Sequence, residues 1–234
     1  MVRSIETYMT TAEPLADATG PVQRALEEIR LAGEKTTLLF PRGEYHFYKE
    51  NAQVRQYHTS NTDTLSYPDK TIGILLEGQR DLTIDGDGSV FIFHGNMMAL
   101  AVVDSVNIEL KNFSWDYPCA PTQEMVIKEI NANRVIYQMP EQQTFDVVGN
   151  HLVWYEDSPI TGVRYWQFQD DEKACNVMVY EPTERRIARH DLHESPFVGV
   201  VGISREEEGR SVCITYTGEL PAFYQEGEIG RAHV

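Results

Sequence analysis

The chain has 234 residues, of which 41% are hydrophobic and 24% charged. That apolar share builds a core and excludes a wholly disordered chain. No run approaches the roughly 20 apolar residues that cross a bilayer. Asp and Glu number 36 against 20 Lys and Arg, a formal net charge of −16. Such a surface repels phosphate backbones and anionic lipid headgroups, so neither nucleic acid nor a membrane is an expected partner, whereas a neutral glycan meets no such barrier.

The first 20 residues contain no apolar stretch of signal-peptide type, so no signal peptide is read in this chain. The compartment stays open: cytoplasmic, or secreted if the N-terminus is incomplete. The first regular element is a helix. Gly20 is a candidate N-cap, Pro21 suits the first helical position, and Val22, Ala25, Leu26 and Ile29 share one face. Gly33 supplies a left-handed stop.

Strands and turns follow. Thr36 to Phe40 and Tyr45 to Tyr48 flank the turn Pro41-Arg42-Gly43. From Thr71 onward, short apolar runs alternate with Gly, Asp and Asn corners: Ile72 to Leu76, Leu82 to Ile84, Val90 to Phe93, Leu100 to Val103, Ile108 to Leu110, and Phe113 to Trp115. Leu76 and Asp81 to Asp85 overlay Val102 and Asn107 to Lys111 at an offset of 26. Self-similarity at that period indicates stacked coils of about three strands each, a parallel β-helix. The competing reading is an antiparallel sandwich, whose strands also recur at short spacing.

Near Thr122 the texture changes. Val135 to Tyr137, Leu152 to Tyr155, Tyr165 to Phe168, Val177 to Tyr180, Phe197 to Ile203 and Val212 to Tyr216 are separated by Pro, Ser and acidic breaks. About 100 residues of antiparallel β, arranged as a small barrel, are expected. The cluster 205–209 reads as a solvated hairpin tip.

Candidate sites are few. Cys119, Cys175 and Cys213 have spacings of neither a zinc site nor a disulfide framework and read as buried free thiols. Asp85-Gly86-Asp87-Gly88 resembles half of a calcium loop but lacks its later ligands, so a tight corner is the preferred reading. His190 and His193 have metal-ligand spacing without a recognisable third ligand. No metal and no organic cofactor are expected. Trp154, Tyr155, Tyr165 and Trp166 are read as core in preference to a sugar-stacking platform. Asp116 follows an aromatic strand end and precedes Pro118, which sets a carboxylate where a strand meets a loop; capping of that turn is the alternative.

Four segments then suggest a family. Leu38 to Tyr45 resembles the opening coil of pectate-lyase-like right-handed β-helices, with the N-terminal helix as its cap. Tyr57 to Asn61, Ile84 to Gly95 and Lys111 to Asp116 follow in order, and together they resemble glycoside hydrolase family 110, the α-1,3-galactosidases. The resemblance implies an all-β fold: a right-handed parallel β-helix with a short N-terminal capping helix and an inserted antiparallel β-barrel. It sets boundaries at 1–124 for the cap and first coils, 125–228 for the barrel, and 229–234 for a return to the β-helix. It also implies an inverting hydrolase of terminal α-1,3-linked galactose that uses two carboxylates and no cofactor. The chain is expected to be the N-terminal piece of a longer enzyme, inactive alone, with its catalytic carboxylates beyond Val234. No catalytic residue is therefore assigned; the candidates for substrate contact are His94, Asp116 and Glu124. A calcium-dependent polysaccharide lyase, another β-helix glycosidase and a non-catalytic carbohydrate-binding β-helix are the alternatives.

Overall fold

A computed structural model describes residues 1–9, 17–58, 68–119, 122–170, 176–181, 184–189, 196–206, 210–220, 224, 226–227 and 229–233. The described residues are mostly β-strand, with a single α-helix, and they divide into two compact units, Met1–Pro118 and Cys119–Val234.

In the first unit, β1 (Val2–Ser4) precedes helix α1 (Thr19–Ala32). The helix begins earlier than the Gly20 cap expected from sequence. Asp17 Oδ1 accepts the Thr19 N–H at 2.8 Å, which satisfies one of the orphan donors of the first turn. Gly33 ends the helix at φ 65°, and its N–H reaches the Ile29 carbonyl at 3.1 Å. The face expected from sequence, Val22, Ala25, Leu26 and Ile29, is buried.

Then come β2 (Thr36–Leu39), β3 (Glu44–Tyr48), β4 (Gln53–Gln56), β5 (Asp69–Glu77), β6 (Arg80–His94), β7 (Met98–Val103) and β8 (Val106–Asp116). Strands β2 and β3 lie parallel to successive halves of β6, and β8 runs parallel along the other side of β6. A second sheet has the order β4-β5-β7, with β5 and β7 parallel and β4 antiparallel to β5. The repeat legible in the sequence is the register itself: Ile84 pairs with Leu110 and Leu76 with Val102.

Because paired residues of parallel strands share a face, like side chains form columns. Leu38, Ile84 and Leu110 make one; Tyr45, Phe91 and Trp115 make another. Phe47 stacks on Phe93 with ring centroids 4.8 Å apart, and Phe91 on Phe113 at 4.6 Å. Phe47, Phe91 and Phe93 are buried, and each such ring contributes on the order of 2 kcal/mol by area. The columns end exposed at β7 and β8, where Val102, Val106, Leu110 and Trp115 all face solvent, Trp115 at 59%.

The corners hold the register. Asp81, Asn107 and Asn112 adopt left-handed φ values of 51°, 57° and 59°, a region that short polar side chains tolerate best. Asn112 Nδ2 donates to Asp85 Oδ1 at 2.9 Å, and Asn107 donates to Asp81.

The second unit contains β9 (Thr122–Asn131), β10 (Arg134–Gln138), β11 (Phe145–Val148), β12 (His151–Asp157), β13 (Arg164–Gln169), β14 (Asn176–Glu181), β15 (Arg186–Arg189), β16 (Val200–Arg205), β17 (Ser211–Tyr216) and β18 (Ile229–His233). Its strand pairs are antiparallel, in a seven-stranded sheet of order β15-β14-β18-β9-β10-β17-β16 and a three-stranded sheet β11-β12-β13. Met125, Val135, Tyr137, Trp154, Phe197, Val212 and Ile214 form its core. The expected return of 229–234 to the parallel coils meets a different arrangement: β18 pairs with β9 and β14 inside this second sheet.

Candidate functional site

The three candidates for substrate contact fall in different settings. His94 closes β6 and is buried beneath rings. Tyr48 stacks on it with centroids 4.4 Å apart and planes 10° from parallel, and His46 stacks at 5.2 Å. His46 Nδ1 and His94 Nε2 are 2.9 Å apart, so one proton lies between the two imidazoles. Glu44 Oε1 sits 3.0 Å from His46 Nε2 and completes a row of three. Burial and then the neighbouring His46 lower the His94 pKa from its ordinary value to about 4, against the opposing pull of Glu50, Asp17 and Glu44. His94 is therefore a neutral, packed imidazole at neutral pH. His46 is the partner that sequence reading did not single out. Its signal is the pattern Glu44-Tyr45-His46-Phe47-Tyr48, which puts Glu44, His46 and Tyr48 on one face of a strand.

Asp116 ends β8 exposed, in register with Ile92. Ile92 and His94 share a face by the two-residue period, so β6 and β8 bring Asp116 and His94 to the same side of their sheet. Asp116 Oδ1 accepts the Tyr117 N–H at 2.8 Å, the turn-capping role weighed from sequence. Its carboxylate retains open lone pairs toward solvent. Glu124 lies on β9 in the second unit, half-buried. The buried Gln143 carboxamide spans its backbone, donating to the Glu124 carbonyl at 3.0 Å and accepting its N–H at 2.6 Å.

The other motifs resolve as structure. Asp85 Oδ1 accepts both the Asp87 N–H at 3.1 Å and the Asn112 amide, and these bonds hold the Asp85 carboxyl below its ordinary pKa, Asn112 first. Asp87 and Gly88 have φ of 49° and 82°. The half calcium loop is thus a bend within β6, and no cluster of three metal-ligating side chains occurs among the described residues. His190 and His193 lie outside the described residues, as does Cys175. Cys119 and Cys213 are buried free thiols. Trp154 is fully buried, and Trp166 packs on the same core while its Nε1 donates to Glu156 Oε2 at 2.7 Å.

No protein-family model matches the chain. Known proteins do. Alpha-1,3-galactosidase A of Streptomyces avermitilis is 30% identical over 225 residues, which cover 93% of this chain and 35% of that protein. Alpha-1,3-galactosidase A of Peterkaempfera griseoplana is 33% identical over 229 residues, covering 92% and 31%. Alpha-1,3-galactosidase B of Bacteroides fragilis is 39% identical over 190 residues, covering 76% and 30%.

The chain is similar to proteins named alpha-1,3-galactosidase.

It spans about a third of the length of the curated relatives it matches. Similarity that runs through both units means that this relationship does not rest on the parallel strands alone.

Proposed function

We propose that this chain is the N-terminal portion of a glycoside hydrolase of family 110, which removes terminal α-1,3-linked galactose from glycans with inversion at the anomeric carbon. The observation that carries the reading is the similarity to an alpha-1,3-galactosidase over nearly the whole chain. The net charge of −16 agrees with a neutral glycan substrate and disfavours the acidic polymers of a lyase.

In such a reaction one carboxylic acid protonates the leaving glycosidic oxygen while a second carboxylate activates water on the opposite ring face. The two stand about 6.5–9.5 Å apart to admit that water. Both carboxylates are placed on segments beyond Val234, and this chain supplies scaffold and one wall of the sugar site. Asp116 offers an exposed acceptor for a sugar hydroxyl. His94 acts through packing, as a neutral ring beneath Tyr48, and Glu124 is a further candidate contact.

The same proposal reads the first unit as the opening coils of a right-handed parallel β-helix capped by α1, and the second as an antiparallel β-barrel inserted into it. In-register columns such as Leu38, Ile84 and Leu110, and the apolar surface left open on β7 and β8, support further coils stacking there.

The test is turnover of a chromogenic or trisaccharide α-1,3-galactoside by the complete protein and by this chain alone. The reading expects galactose release with inverted anomeric configuration from the complete protein and none from the chain. Calcium-dependent release of an unsaturated product, or robust turnover by the isolated chain, would overturn it.

A further inference from the structure

Lined by α1 and the β4–β5 pair is an open groove of ≈ 790 Å³. One wall is α1, with Arg24, Glu27 and Arg30; the other carries Arg55 of β4 and Glu77 of β5. Gln79, only 2% exposed, lies between them. Its Nε2 donates to the Leu26 carbonyl at 3.0 Å, and its backbone N–H donates to Ser105 Oγ at 2.9 Å. Its Oε1 is buried and accepts from no group among the described residues. A buried acceptor left unpaired is a cost of the empty state, and it is relieved only when the carboxamide turns its oxygen toward a donor in the groove.

The lining selects the ligand class. The lining holds three arginines and three glutamates, which leaves no net charge, and only Leu26, Leu75 and Gly78 bring no polar side chain. An anion meets the glutamates, a cation meets the arginines, and an apolar body would strip water from both. A ligand rich in hydroxyls meets neither difficulty, because each hydroxyl donates and accepts at once. The ion pairs Arg30–Glu27 at 2.7 Å and Arg55–Glu77 at 3.2 Å offer such a hydroxyl a donor and an acceptor side by side. Tyr57 fixes the second pair, its hydroxyl donating to Glu77 Oε1. The volume lies within the usual range of small-molecule sites, roughly 300–1,000 Å³.

We propose that this groove binds a neutral oligosaccharide, as a carbohydrate-binding site carried by the helix and the β4–β5 pair. The inference stands apart from the galactosidase reading, because it follows from the lining chemistry and requires no turnover.

The experiment uses this 234-residue chain, labelled with ¹⁵N and titrated with maltotriose, with a terminal α-1,3-galactosyl trisaccharide, and with trigalacturonate as the acidic control. The expected result is saturable shifts of the Gly78 and Gln79 backbone amides and of the Arg55 Nε–H with at least one neutral sugar, and none with trigalacturonate. Arg55→Leu and, separately, Glu27→Gln should each weaken that binding about tenfold or more, with the remaining amide spectrum unchanged. Because both side chains are on the walls, the test does not depend on a variant that disturbs the Gln79 bond to the helix. The proposal fails if no neutral sugar shifts these signals at about 20 mM, a concentration well above a millimolar dissociation constant. It fails equally if trigalacturonate binds as well as the neutral sugars, or if both variants bind like the parent. Loss of galactosidase turnover in the complete protein would leave these outcomes untouched.

Discussion

His46 Nδ1 and His94 Nε2 lie 2.9 Å apart, joining two strands through a proton that only one of the rings can own. With its pKa lowered to about 4 in the folded state, His94 is neutral there at pH values where the unfolded chain is already protonating, below about 6.5. The unfolded state therefore binds more protons between these limits. Stability contributed by the neutral ring is complete above about pH 6.5 and is lost as pH falls toward 4. The predicted loss between pH 7 and pH 4.5 is on the order of 2 kcal/mol, after discounting for solvent screening around the pair. Urea unfolding of the wild type and of His94→Gln across this range checks it. The variant should show a flatter profile, and parallel profiles would refute the assignment.

Gly86 is predicted to be irreplaceable. A Cβ there would stand 2.5 Å from the Phe113 Cβ and 2.7 Å from the Asn112 carbonyl oxygen, and the backbone atom cannot swing aside. Gly86→Ala should cost about 3 kcal/mol or more. Gly149→Ala is the comparison. Its φ is +62° and no described residue lies within 4 Å, so only left-handed strain of about 1 kcal/mol is expected. Chemical denaturation of the two variants measures the gap.

Trp154 is fully buried, and its Nε1 donates to no group among the described residues. Replacement by Phe removes that orphan donor together with part of the ring, and the two effects oppose each other. Trp154→Phe should change stability by about 1 kcal/mol or less, whereas Trp154→Ala should cost about 3–5 kcal/mol. Thermal melts of the isolated chain decide; a severe loss with Phe would mean that the indole N–H has a partner.

Asp116→Asn preserves an oxygen able to accept the Tyr117 N–H, so the turn should survive. On the proposed galactosidase reading, the substitution in the complete protein is expected to lower kcat/KM about tenfold or more while Tm moves by about 2 °C or less. Unchanged kinetics would confine Asp116 to capping its turn.

Helix α1 and the parallel pairs 26 residues apart were legible because they depend on local signals: one apolar helical stripe, and corners of Asp, Asn and Gly recurring at a constant step. The pairings of β2 and β3 with β6 left no such trace. The chain between them makes a detour through β4, so the offset there is 46 and does not match the 26-residue step. The closing strand β18 was harder still. It joins β9 across about a hundred residues, and no local residue pattern records a partner so distant. For the same reason His94 was picked out alone. Its companions His46 and Tyr48 belong to β3, and only the β3–β6 register brings the three rings together. The groove beside α1 has no sequence signature, because its arginines and glutamates, scattered over the chain, look like ordinary surface charge.

The uncovered apolar columns on β7 and β8 also bear on colloidal behaviour. At low ionic strength, mutual repulsion between chains of net charge −16 should keep these sticky flanks apart. In about 0.15 M salt that repulsion reaches only about 8 Å, so preparations of the isolated polypeptide should cluster as salt is added, the reverse of what an ion-paired contact would do.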